Sequence, residues 1–72
     1  MRDKYLVCFE DAQGLPRSWA VSTDQAEAVT EATRQLGVYV AKKRLLGDVI
    51  SSLDFHRTIQ RIDNSVKQVT GF

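Results

Sequence analysis

One thiol, one imidazole and one run of three cations are the residues in this chain whose types could do chemistry. Cys8 is the only cysteine and His56 the only histidine. A thiol nucleophile with an imidazole base needs the two side by side in space. Cys8 lies in "KYLVCFE", which alternates like a half-buried strand, whereas His56 lies in the polar stretch "DFHRT". The expectation is a small core hydrophobe at Cys8 and a solvated residue at His56. A tetrahedral zinc site built on these two would lack half its ligands. Gly14, Gly37, Gly47 and Gly71 are isolated, so no glycine loop cradles a phosphate. The carboxylates Glu10, Asp11, Glu27, Glu31, Asp48, Asp54 and Asp63 show no paired acid–base spacing. The sequence therefore predicts no catalytic, cofactor-binding or metal-ligating residue, and no enzyme.

The cations are Lys42, Lys43 and Arg44, inside "LGVYVAKKRLLGD". Residues 1–36 carry a net charge of −2 and residues 37–72 a net charge of +3, so the second half is mildly basic. With Arg57, Arg61 and Lys67 the triplet could line one face, and each neutralised phosphate adds affinity for nucleic acid. The same six residues also read as ordinary solubilising charges on helix exteriors. No helix-turn-helix spacing and no base-stacking platform accompanies them.

Elements must place these residues. "KYLVCFE" puts Tyr5, Val7 and Phe9 on one face and Leu6 and Cys8 on the other. "DAQGLP" reads as a turn, and "RSWAVS" as a second strand with Trp19 and Val21 on one face. A β-hairpin over about 4–10 and 17–22 follows, with Trp19 packed under the first helix beside Val21 and Phe9, or serving as an interface anchor. Ser22 with Gln25, or Asp24 with Glu27, has capping-box spacing. The helix it opens spans about 24–46, with Val29, Ala32 and Leu36 on its apolar stripe and a bend or break at Gly37.

Residues 38–43 fit a continuing helix, a new helix after Gly37 whose face carries Tyr39, Leu46, Val49, Ile50 and Leu53, or a short strand "VYVAK". The helical readings fit "AKKRLL" better. A last helix is expected over 55–69 because Phe55, Ile59, Ile62, Val66 and Val69 are spaced as a heptad seam. The fold class is thus α+β: an N-terminal hairpin packed against two or three helices, in a single small domain over 1–72. The hairpin followed by "STDQAEA", residues 4–36, loosely resembles the small N-terminal DNA-binding domain of phage-type tyrosine recombinases. It departs from that family in lacking a third strand before the helix and in having strands poor in basic residues, and no family is assigned from it.

The chain has 72 residues, 43% hydrophobic and 26% charged, as in a folded globular chain. It starts with Met1, has no leader-like segment and reads as complete. No apolar run reaches the roughly 18 residues of a membrane span, and a lone cysteine fits a reducing, cytoplasmic setting. A chain this short needs help to be stable, and with disulfide and metal excluded a homodimer through the heptad seam is expected. The functional expectation is a small non-enzymatic interaction or regulatory protein, bacterial or phage in type, that docks on a macromolecular partner. The alternative is a nucleic-acid-binding regulator using the basic second half.

Overall fold

A computed structural model describes residues 3–62. Three strands, β1 (Lys4–Glu10), β2 (Pro16–Ser22) and β3 (His56–Ile62), and one helix, α1 (Gln25–Leu45), make an α+β fold. The sheet is antiparallel with order β2-β1-β3. The hairpin forms as its alternation predicts, β1 and β2 matching the expected spans. Asp11 organises the turn between them: its carboxylate accepts from the Gln13 and Leu15 amides, each at 2.9 Å, and from Arg17 Nε. These donors hold its carboxyl below the ordinary carboxylate range, the Leu15 amide first. Gly14 sits at φ +82°, where a Cβ would be strained.

Register assigns the faces. Val7 lies opposite Ala20 on one side and Ile59 on the other, so Tyr5, Val7 and Phe9 share a face with Ser18, Ala20 and Ser22. That face takes the helix. Val7, Ala28 and Ala32 are fully buried at its centre, with Phe9, Ala20 and Val29 packed around them. Two alanines at the contact let the helix approach closely. Ser18, also buried, donates its hydroxyl to the Ala32 carbonyl at 3.0 Å and ties β2 to the helix. Trp19 and Val21 pair with Cys8 and Leu6 on the opposite face. The expected packing of Trp19 beneath the helix is therefore corrected, because residues adjacent along a strand point to opposite sides.

Asp24 caps α1, accepting from the Ala26 amide at 3.0 Å. Ala28, Ala32, Leu36 and Val40 form the buried stripe. The expected break at Gly37 does not occur: α1 is one 21-residue helix, and residues 38–43 are helical throughout. Gly37 lies on the exposed face with nothing within 4 Å of an added Cβ and without a positive φ. It has no packing reason to be glycine. Gly37→Ala is expected to raise the unfolding free energy by about 0.5–1 kcal/mol, measured by urea unfolding.

The expected helix over 55–69 is also corrected: residues 56–62 are strand β3, paired along the whole of β1 from Lys4–Ile62 to Glu10–His56. A step of three residues keeps a side chain on one helix face but moves it to the other face of a strand. The supposed seam divides accordingly. Phe55 precedes β3, Ile59 lies opposite Val7 on the helix side, and Ile62 is on the far side opposite Lys4. Val66 and Val69 fall outside the described residues. The strand that completes the sheet thus follows the helix rather than preceding it.

Candidate interaction surface

Helix α1 outruns the sheet. At 1.5 Å per residue it is ~31 Å long, whereas seven-residue strands extend ~23 Å. Its last turn passes beyond the hairpin end of the sheet, and among the described residues only the hairpin turn and the connection to β3 lie beside it. Leu45 is 87% exposed and Leu46 78% for that reason, and the connection to β3 adds Val49 at 99% and Leu53 at 92%. Scattered exposed leucines are ordinary. Four nearly bare aliphatic side chains within Leu45–Leu53 are a concentration that needs an account.

This segment is ordered by its own hydrogen bonds. The Gly47 amide donates to the Arg44 carbonyl and the Asp48 amide to the Lys43 carbonyl, both at 3.0 Å, with Gly47 at φ +96°. That is the Schellman closure of a helix, and it requires a left-handed residue at Gly47. Arg44 Nε donates to the Ile50 carbonyl at 2.8 Å. A 3₁₀ turn, Ser52–Asp54, follows under a capping box in which Ser51 Oγ accepts from the Leu53 amide and the Asp54 carboxylate from the Ser51 amide. The aliphatic side chains therefore stand on a defined backbone.

Tyr39 anchors the underside. Its ring meets Phe55 edge-on at 6.0 Å between centroids, and Arg17 and Lys43 lie 5.8 and 5.7 Å from its centroid. Arg17 reaches it because the β1–β2 register shifts between Phe9 and Glu10, an irregularity that re-aims a side chain. Arg17 also pairs with Asp11 at 2.9 Å. Hairpin turn, helix end and 3₁₀ turn thus meet around one ring. A shallow cavity of about 280 Å³ opens between them, lined by Asp11, Tyr39, Lys43, Ile50, Asp54 and Phe55 among others. It is at the small end of ligand sites, and Asp11 and Asp54 already accept backbone hydrogen bonds there.

Five of the six basic candidates lie among the described residues, three on α1 and two on β3. Lys42 is exposed; Lys43 is half-buried over Tyr39; Arg44 holds the Ile50 carbonyl. All three sit in the last turn of α1, where positive charge suits the helix dipole. Arg57 and Arg61 are on β3 opposite Phe9 and Tyr5, separated by ~13 Å of strand, and Arg61 pairs with Asp3 at 3.1 Å. Lys67 is outside the described residues.

Cys8 and His56 share the far face of the sheet, but as diagonal neighbours, since Thr58 is opposite Cys8 and Glu10 opposite His56. Burial, and then the Glu10 carboxylate, push the Cys8 thiol above its ordinary value, which a hydrogen bond with Thr58 only partly offsets. This is the reverse of nucleophile activation. Among the described residues no group of three or more His, Cys, Asp or Glu is placed to hold a metal, and no helix is long and apolar enough to cross a membrane.

The exposed aliphatic segment was legible only in part. On the reading with a new helix after Gly37, Leu46, Val49 and Leu53 shared one apolar face, but nothing in the residues said that the helix would outrun its sheet. No protein-family model, curated protein or solved structure matches this chain.

Proposed function

We propose that the protein is a small non-enzymatic interaction module that works in the cytoplasm by docking on a protein partner through the α1–β3 connection. The observation that carries this reading is the set of Leu45, Leu46, Val49 and Leu53, exposed by 78–99% on a hydrogen-bonded turn. Apolar surface displayed on an ordered backbone binds without first being ordered, so less of its burial free energy is lost on association. The non-enzymatic part rests on Cys8, whose thiol is shifted away from reactivity, and on the separation of Cys8 from His56 by a diagonal of the sheet.

Docking on nucleic acid is the competing reading, and the internal engagement of Lys43, Arg44 and Arg61 weighs against it. A titration of duplex and single-stranded DNA decides between them. The expected result is non-specific binding alone, with a dissociation constant of roughly 10⁻⁴–10⁻⁶ M at physiological salt. Sequence-dependent binding tighter than about 10⁻⁷ M, in the range of specific protein–DNA complexes, would overturn the reading in favour of a nucleic-acid regulator.

A further inference from the structure

We infer that Gln35 is a clamp that closes the outer edge of β2 to strand addition, so that the sheet does not extend by pairing β2 with β2 of a second copy. The inference is independent of the docking role proposed above. Among the described residues no strand lies outside β2, and an open edge is a row of unused donors and acceptors. The Trp19 amide donates to Gln35 Oε1 at 3.4 Å. A donor aimed there is turned away from β1, so it belongs to that edge. The bond is long for an amide, and its effect is to occupy the edge rather than to hold the fold. Gln35 is itself held: its Nε2 donates to Glu31 Oε2 at 3.1 Å, and Arg34 grips the same carboxylate through Nε at 3.0 Å and Nη2 at 2.6 Å. With its nitrogen on Glu31, the Gln35 amide presents its oxygen to the strand. The helix stands at the required height because Ser18, the residue before Trp19, donates to the Ala32 carbonyl, and Gln35 is one turn further along.

The clamp lies where charge gives no protection. In a two-fold antiparallel pairing centred on Trp19, Val21 faces Arg17 and Ala20 faces Ser18, with no like charges opposed. Trp19 and Val21 are 47% and 51% exposed on the face away from α1, and cross-strand aromatic and β-branched pairs favour such an arrangement. The Trp19 amide is the donor that the centre of this pairing would use. On β3 the same operation centred on Ile59 sets Arg57 opposite Arg61, and opposed like charges resist strand addition without a cover. The ends of β2 offer little more. Pro16, at its start, has no amide to donate. Past Ser22 the chain turns into α1, with the Asp24 amide donating to Ser22 Oγ at 3.1 Å.

Gln35→Ala in the full chain tests the inference. Alanine suits a helix, and Gln35 is only half-buried, so circular dichroism and the urea midpoint should match those of wild type. Exchange of the Trp19 amide should quicken about three- to tenfold, with the Val7 amide unchanged. Sedimentation should show the variant associating further than wild type at the same concentration. Adding Val21→Lys to Gln35→Ala sets a second cation opposite Arg17 in the pairing. That double variant should return to the wild-type mass while its Trp19 amide still exchanges fast. Loss of association without recovery of protection is the readout that a purely structural role for Gln35 would not produce. An unchanged Trp19 amide, a mass equal to that of wild type in Gln35→Ala, or association that survives Val21→Lys would each overturn the inference. None of these results bears on docking through the α1–β3 connection.

Discussion

Leu36→Ala is expected to lower the unfolding free energy by about 2–5 kcal/mol, and Leu45→Ala by less than about 0.5 kcal/mol. Both leucines are in α1 and lose the same atoms. Leu36 is 2% exposed between Ala32 and Val40 on the stripe that meets the sheet; Leu45 is 87% exposed on the overhang. The intrinsic helix preference changes equally at both, so the difference reports burial alone. A domain of this size has about 4–11 kcal/mol in all, so Leu36→Ala should leave the native state barely populated at physiological temperature. Urea unfolding of the two variants beside wild type measures it. Equal losses would mean that α1 packs in another register, or that the overhang is covered.

Tyr39→Ala is expected to cost about 1–3 kcal/mol, less than a fully buried aromatic because the ring is only half-buried. Its consequence should be local. The ring is the common contact of Arg17, Lys43 and Phe55, so its removal separates the 3₁₀ turn from the helix end and the hairpin turn. Amide exchange should quicken at the Leu53, Asp54 and Phe55 amides, whose acceptors are Ser51 Oγ, the Ser51 carbonyl and the Ser52 carbonyl. Central β1 amides should quicken only in step with the loss of global stability. Tyr39→Phe keeps the ring and should behave like wild type. Uniform acceleration across the sheet in Tyr39→Ala, with no excess at the turn, would mean that the ring supports the core rather than the connection.

Much of the architecture could be read from residues. Alternation marked β1 and β2, "DAQGLP" marked their turn, and capping-box spacing at Ser22 or Asp24 marked the start of α1. The last element was misread for two physical reasons. Among the described residues strand β3 is an edge strand, with mostly polar side chains on both sides, so "HRTIQRI" has no clean alternation. Its Phe55, Ile59 and Ile62 happen to fall at helical intervals. The contrary signal lay elsewhere. Tyr5, Val7, Phe9, Leu6 and Cys8 make β1 apolar on both faces, the mark of a central strand, and a central strand needs a neighbour on each edge. A hairpin supplies one. The third strand was therefore implied by β1 rather than by its own residues. At Gly37 the local rule failed because the residue faces solvent, where glycine costs a helix some stability without ending it.

The candidate surface followed the same pattern. A helix end near residue 46 was visible, and Leu46, Val49 and Leu53 were visible as a face on the reading that starts a new helix after Gly37. What decides their exposure is the mismatch between a 21-residue helix and seven-residue strands, which appears only once the helix is known to be unbroken and the sheet is known to have its three strands. The basic residues, conversely, looked like a shared surface in the sequence. Among the described residues, Lys43 and Arg44 make contacts within the helix end and the connection, and Arg57 and Arg61 belong to strand β3.

The central claim is that the α1–β3 connection is the surface through which the protein docks. Backbone amide NMR spectra of the wild-type chain, recorded as the apolar dye 8-anilinonaphthalene-1-sulfonate is added, test it most directly. The expected result is saturating shifts at the amides of Leu45–Leu53, with the amides of β2 and of the first turns of α1 unmoved. Shifts concentrated elsewhere, or spectra that do not change as the dye is added, would contradict it.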